Sequence, residues 1–509
     1  MNEKDRKQRL YVAEQAAKVR KGQLSRRDFL RRAAVAGFGV SAAGLMRMQR
    51  VAAATPSIKL ARAAADYSED QIKWLTDVGG RFAGTTVRLS SESTAPSQLT
   101  SGLIADNFTQ HTGIEVQWEQ TPLDQVLAKI TQDTATSSAS NDIYYLDQSW
   151  LGRFVNDIVD TRATYISDSG SDLNMPDYDF DDFIPELVPA IAEYQGTLVG
   201  VPFDIPIFIF SYRKDVFENL GLEVPTTMQS FMDVAKTIYD ANLTNEDGSR
   251  IYGYVGQWKS GHYALQCDWT AWLWSHGGSH TGVDGAVTIN DEAGLAAANY
   301  MLELGKYTDP GSTSYDWSGQ GDGVGAGSAG VVINWGEFFP SWDNPENSKV
   351  AGLMEPADLP MEVALRTREE TSFDEVPGIG HQGGSCLALS RYSENQDAAW
   401  VFLQWATSKE TMALAAAQSN TPVRQSTFDD PRILELAQPV AGTTRHFPAI
   451  LKAIKERMGT EPHFPAWADI SSTGAVIPDE LGKMTTGAQD AQTTLDNIAQ
   501  AMADGIAEG

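Results

Sequence analysis

Gly196-Thr-Leu-Val-Gly-Val-Pro-Phe-Asp-Ile-Pro-Ile-Phe-Ile-Phe-Ser-Tyr-Arg-Lys-Asp-Val-Phe217 is the stretch on which the fold turns. Leu198 to Val201 is a short apolar run. Ile205 to Tyr212 is longer and rich in β-branched and aromatic residues, and both runs read as buried strands. Between them lies Pro202-Phe203-Asp204-Ile205-Pro206. Two prolines fix φ and withhold two ladder donors, so no single regular central strand runs through the segment. Two readings stay open from these residues: a bent edge strand inside one domain, or an extended chain crossing from one sheet into another.

Outward from this stretch, 509 residues exceed one ordinary domain, whereas two lobes plus an export segment fit usual sizes. An apolar content of 42% supports a large core. The longest uncharged apolar stretch, near Ala33 to Met46, is too short for a stable membrane anchor, so a soluble mature protein is expected. Just before it, Ser25-Arg26-Arg27-Asp28-Phe29-Leu30 resembles the twin-arginine export motif, and small residues offer cleavage after Ala54 or as late as Ala65. A basic arm of nucleic-acid-binding or mitochondrial type is the rival reading. No cysteine lies near the cleavage region, which favours a free periplasmic protein over a lipoprotein.

Charge narrows the function classes. Residues 1–54 carry 13 Lys/Arg and 4 Asp/Glu, a net +9; of the total −28, this leaves −37 on residues 55–509. So acidic a body repels phosphate backbones and anionic membranes, which argues against nucleic-acid binding. Cys267 and Cys386 are the two cysteines, and they are expected to stay free thiols.

Along the chain, a helix is expected around Glu69 to Val78 and a first strand over Thr86 to Leu89. Leu99, Leu103, Ile104 and Phe108 suit a helix that Gly113 stops. Ile114 to Trp118 reads as a strand, Leu123 to Ile130 as one helical face, and Asp142 to Leu146 as a third strand. Strand–helix–strand–helix–strand is the signature of a parallel sheet covered by helices. Later, Asn290 reads as the cap of a helix through Leu302, and Ser393 with Gln396 as a capping box.

Gly200-Val-Pro-Phe-Asp204, followed by apolar residues and Tyr212-Arg-Lys-Asp-Val-Phe217, resembles the crossover of family 1 extracellular solute-binding proteins. These are the maltose-binding-protein-like receptors of ABC sugar importers. Thr112-Gly-Ile-Glu-Val116, Asp142-Ile-Tyr-Tyr-Leu-Asp147, the passage from Phe217 to Thr227, His276-Gly-Gly278 and Thr421-Pro-Val-Arg424 extend the likeness over about residues 85–505. The resemblance implies an α/β, two-lobed periplasmic-binding-protein fold of type II, with parallel-rich sheets flanked by helices. It implies lobe one over 85–207 plus 333–384, and lobe two over 208–332 plus 385–509. Hinge crossovers would fall near Asp204, Asn334 and Ser385.

Several motifs are weighed and set aside. Gly325-Ala-Gly-Ser-Ala-Gly330 matches the dinucleotide fingerprint in letters, but a Gly/Ser/Asp-rich run precedes it and a strand-like run follows. His276 and His280 are spaced for a metal helix, yet Gly277-Gly278 lies between them. Asp177, Asp179, Asp181 and Asp182 begin like a calcium loop, but Asp182 and Val188 stand where a Gly and a Glu are needed, so a solvated acidic loop is expected. No metal and no cofactor are expected.

What remains is aromatics and carboxylates, which suit the apolar face and hydroxyl rim of a sugar. Resemblance puts Asp147, Trp150, Asp204 and Trp335 at the lobe-one rim and the crossovers. Tyr144, Glu92, Trp269, Gly384 and Trp467 follow as ligand-binding candidates. Trp269 and Trp272 lie three apart on a helix, one for the cleft and one for the core. The implied function is a monomeric, non-enzymatic periplasmic receptor. It would capture a carbohydrate or polyol and deliver it to an ABC permease, after export by the twin-arginine translocase. The alternatives are an exported glycoside-acting enzyme, which needs two spaced carboxyls, and a receptor for another solute such as a polyamine. Replacing Arg26 and Arg27 together by Lys should leave uncleaved precursor in the cytoplasm, as cell fractionation will show. Normal export of the double variant would overturn this reading of residues 1–54.

Overall fold

A computed structural model describes residues 66–508, apart from Ser169, 362–369, 371–374, Ser419 and Ala441. The export segment and its cleavage sites at Ala54 and Ala65 lie outside the described residues. Both sheets described below belong to one compact unit, Ala64–Gly509.

The opening alternation forms as the sequence dictates. Strands β1 (Thr86–Glu92), β2 (Glu115–Thr121) and β3 (Ile143–Asp147) are separated by the helices Ala95–Ile104 and Leu123–Ala135. β1 lies between β2 and β3 and is parallel to both. It outruns its apolar stretch because its ladder with β2 continues to the Glu92–Thr121 pair. Gly113 closes the first crossover at φ +68°, a left-handed position that a side chain would strain.

β4 (Val201–Asp204) is an edge of this sheet, and β5 (Phe208–Arg213) belongs to a second one. The edge position tolerates Pro202, and the ladder stops at Ile205–Ile207, where Pro206 offers no N–H. The chain therefore crosses between sheets here. β6 (Tyr252–Tyr254), β7 (Ala329–Trp335) and β8 (Met354–Ala357) complete the second sheet in the order β8-β5-β7-β6. There β5 runs antiparallel to β7 and β8, while β6 is parallel to β7. β9 (Ser385–Leu389) then returns to the first sheet between β3 and β4, antiparallel to both, giving the order β2-β1-β3-β9-β4.

This pairing corrects the expected division of 333–384 and 385–509. β8 hydrogen-bonds in the second sheet and β9 in the first, the reverse of the expected assignment. Asn334 pairs with Ile209 within the second sheet, so no crossing occurs there; the return lies between Ala357 and Ser385. The helices Gln396–Ala406 and Lys409–Ala416 pack on the first sheet and its helices, and Phe447–Glu456 packs on β5, which marks a third passage. An apolar run states that it will be buried, and long-range pairing chooses the sheet.

Local signals mostly hold, with exceptions. Ser68 and Gln71 form a reciprocal cap for the helix Glu69–Asp77. Asp291, not Asn290, caps the helix Glu292–Gly305. Ser393 does not cap Gln396–Ala406; its hydroxyl bonds buried Asp142 instead. Helix Trp317–Gly325 precedes the glycine motif and β7 follows it, the opposite of the strand-then-helix order that phosphate binding needs. The loop after Asp177 is not simply solvated, since Asp182 accepts from buried Arg424 at 3.3 Å and from Ser426. Among the described residues, no helix is long and apolar enough to cross a membrane.

Cys267 and Cys386 are both buried and unpaired. Cys386 Sγ lies 2.6 Å from where a Cβ on Gly200 would stand, so the start of β4 needs a glycine to lie against β9. Burial pushes both thiols well above their ordinary range. Denatured, unreduced protein should therefore titrate two thiols with a chromogenic disulfide, and the native protein should react slowly with the same reagent. Zero thiols after denaturation would mean that the two are bonded.

Candidate functional site

The carboxyl ends of β1, β3 and β4 carry Glu92, Asp147 and Asp204, and β9 begins beside them at Ser385. Ser385 pairs with Asp147 on one side and with Asp204 on the other. Directly paired residues project to the same face, so Asp147, Ser385 and Asp204 form a row along the sheet edge. Tyr145, two residues before Asp147 and so on its face, donates its hydroxyl to both oxygens of Asp204 at 3.2 and 3.0 Å. Thr94 Oγ1 reaches Asp204 at 3.4 Å, and Asp147 accepts from the backbone N–H and hydroxyl of Ser149.

Glu337, two residues beyond the end of β7, acts electrostatically on Glu92 and Asp204 of this edge. Burial pushes the Glu337 carboxyl up to about 7. Burial likewise takes Asp147 up to about 7, although both Ser149 bonds favour its ionised form. Glu92 stands well above the ordinary carboxylate range through burial and then through the charges of Glu337, Asp204 and Asp147. Asp204 is raised by burial and by Glu337, and the bonds from Tyr145 and Thr94 offset this in part. Two carboxylates of one sheet edge therefore feel a third from the other sheet's chain.

The second-sheet wall is held by hydrogen bonds. Trp335 Nε1 donates to Gln257 Oε1 at 3.0 Å, and Gln257 Nε2 donates to Asp268 at 2.9 Å. Asp268, which also accepts from Tyr254 and Trp258, is raised by burial to about 7. The Trp335 ring packs on Phe208, with centroids 4.3 Å apart, and keeps 5% of its surface exposed. It is a fixed wall rather than an open stacking platform.

A further buried carboxylate is of another kind. Glu461 accepts from Tyr263, Gln266, Thr270 and Trp467 at 3.0 to 3.4 Å, with His381 Nε2 at 3.0 Å. Burial alone would raise it, but His381, His280 and Trp467 outweigh burial and hold it at about 2. Tyr263 also meets Gln148, the residue after Asp147, at 3.5 Å, and Gln148 Oε1 lies 3.1 Å from His463 Nε2.

Of the nine sequence candidates, Glu92, Asp147 and Asp204 converge. Trp335 and Gly384 line the crossings: Gly384 accepts from the Gln148 N–H, and a Cβ there would stand 2.8 Å from Ile191 and Ile205. Trp467 is fully buried on Glu461, and Trp150 is buried in the turn after Asp147. Tyr144 projects to the other face of β3 and meets Ser390 at the far end of the strand. Trp269 and Trp272 are both buried, so the expected split of one toward the cleft and one toward the core is not seen. Tyr145, Gln257, Glu337 and Glu461 were missed. Strand parity with Asp147 would have found Tyr145; no local signal marks the other three. A separate groove of about 530 Å³, lined by Arg88, Trp118 and Lys129 among others, lies along β1 and β2 and holds none of the four carboxylates.

Residues 91–413, more than half of the chain, match the family described as bacterial extracellular solute-binding protein. The chain belongs to that family, and its work is to capture a small solute for an ABC importer. It is 21% identical over 357 residues to a probable amino-acid ABC transporter periplasmic-binding protein of Sinorhizobium fredii, covering 70% of this chain and 76% of the relative. An erythritol/L-threitol-binding protein of Mycolicibacterium smegmatis is 22% identical over 372 residues, covering 69% and 72%. An ABC transporter solute-binding protein of Agrobacterium radiobacter, solved with ribitol, superposes with a TM-score of 0.70 at 23% identity, covering 82% of this chain and 98% of that one. The fold is thus the two-lobed α/β, maltose-binding-protein-like fold that the crossover motif implied.

Because Glu461 sits far below the ordinary glutamate value of about 4.3, its stabilising contribution is full above about pH 4.3 and is lost as pH falls toward 2. Glu461→Gln should lower unfolding free energy by about 3–5 kcal/mol at pH 7, and this deficit should shrink at pH 3. Urea titrations at the two pH values measure both. A deficit independent of pH would show that Glu461 is not held ionised.

Proposed function

We propose that the protein captures a sugar, oligosaccharide or polyol in the periplasm and passes it unaltered to an ABC permease. It acts as a monomer after twin-arginine export. The observation that carries this reading is the row Asp147–Ser385–Asp204, with Glu92, Glu337 and Tyr145 around it, at the strand ends beside the crossing. Ligands of open α/β sheets bind at the carboxyl ends of strands. Carboxylates there accept hydrogen bonds from several hydroxyls at once. Binding of erythritol or L-threitol by one relative and of ribitol by a structural neighbour supports the polyol class. The amino-acid name of another relative makes amino acids the solute to test against it.

The charges support a reading of binding without turnover. A glycosidase needs one carboxyl kept protonated and one kept ionised on either side of the bond. Here all four cleft carboxyls are pushed in the same direction. Glu461, the ionised one, is fully buried and enclosed by donors.

A thermal-shift and calorimetry panel of sugars, polyols, polyamines and amino acids tests the class. Sugars or polyols should bind, and chromatography should recover them unchanged. Asp204→Asn should weaken binding by about 1–3 kcal/mol, the cost of leaving a buried hydroxyl partner unsatisfied. Hits confined to polyamines or amino acids, or conversion of the bound sugar, would overturn the proposal.

A further inference from the structure

Asp268, Gln257 and Trp335 form a relay of two hydrogen bonds inside the second-sheet wall, and its polarity is fixed at both ends. Gln257 lies in the loop between β6 and the helix Tyr263–Ser275, which carries Asp268. All three side chains are buried. Ser312 pins this loop on either side of Gln257. Its hydroxyl accepts from the Gly256 N–H and its carbonyl from the Trp258 N–H, each at 2.9 Å. What remains to be decided is which way the Gln257 amide turns.

The indole N–H of Trp335 can only donate, so it needs the Gln257 carbonyl oxygen, 3.0 Å away. The Gln257 NH2 then faces Asp268 at 2.9 Å, where a carboxylate, which can only accept, receives it. The other Asp268 oxygen accepts from Trp258 Nε1 at 2.8 Å and from the Tyr254 hydroxyl at 3.3 Å. Packing of the Trp335 ring on Phe208 is apolar and does not distinguish the two flips of an indole, whereas the bond to Gln257 does. A Cβ on Gly383, two residues before Ser385, would lie 3.5 Å from this ring.

We propose that Asp268 is a positioning residue for solute binding: acting through Gln257, it holds the Trp335 indole in one orientation beside the crossing. The inference rests on reading the protein as a solute receptor and deepens that reading.

Asparagine at position 268 would break the relay with little change of shape. Trp258 Nε1 still requires an oxygen, so the asparagine NH2 would face Gln257. Gln257 would turn its carbonyl to meet it and oppose its own NH2 to the Trp335 N–H, donor against donor. Glutamate at position 257 repairs this. Its carboxylate accepts from the asparagine NH2 and from Trp335 Nε1, and the net charge of the unaltered protein is kept.

Hydrogen exchange of the indole N–H, followed by NMR on tryptophan-labelled protein, tests the relay. It is run at pH 8, above the value of about 7 to which burial raises Asp268. Trp335→Phe identifies the Trp335 resonance. Asp268→Asn should speed its exchange about ten-fold, the loss of one hydrogen bond. Asp268→Asn combined with Gln257→Glu should restore slow exchange. Calorimetry with ribitol, erythritol and maltose as probes should show the same loss and recovery of affinity. A double variant that fails to restore the bond, whether or not the single variant folds, would overturn the inference. So would equal solute binding by the unaltered, single and double proteins, which leaves the receptor reading standing. An unaltered protein that binds none of the sugars and polyols of the panel would overturn the receptor reading and the inference together.

Discussion

The missing N–H of Pro206 is the constraint around which the two sheets are arranged. With no donor there, β4 cannot run on into β5 as one strand of one sheet. The carbonyls of Pro206 and Ile207 instead accept from Gly383 and Gly336, each at 2.9 Å, and Ile207 bridges Gln382. Three separate parts of the chain thus meet at one short extended segment: the crossing itself, the end of β7 and the approach to β9. These bonds join backbone to backbone over a few residues and fix the connection between the two sheets.

The same joint explains where the chemistry falls. β4 ends at Asp204 two residues before Pro206, and β7 ends at Trp335 two residues before Glu337. Bringing the two ends together at the crossing places carboxyls from different sheets within reach of one another. Their shared burial and mutual repulsion then lift them from the ordinary carboxylate range.

Glu461 shows that burial by itself does not decide a carboxyl's role. It is as buried as Asp204, yet donors from the helix Tyr263–Ser275, from His381 and from Trp467 surround it and hold it ionised. Its bonds are spent within the protein, so it ties the second-sheet wall together. Through Tyr263 and Gln148 that scaffold reaches the residue beside Asp147, which couples the rigidity of the wall to the strand edge that faces it.

The sequence by itself determined the opening strand–helix alternation, the break at Pro206, the stop at Gly113 and the carboxylates Glu92, Asp147 and Asp204. Each is written in a local period, a proline or glycine, or a motif contained in a few residues. Tertiary structure alone decided that β9 inserts between β3 and β4, that β8 joins the second sheet, and that the charge of Glu337 bears on Asp204. It also turned Tyr144 away from the cleft while Tyr145 bonds Asp204, and it buried Trp269, Trp335 and Trp467. Those outcomes depend on which strand finds which partner across long stretches of chain, and on parity within a strand. A residue's hydrophobicity records that it will be buried, and its neighbours in space determine against what.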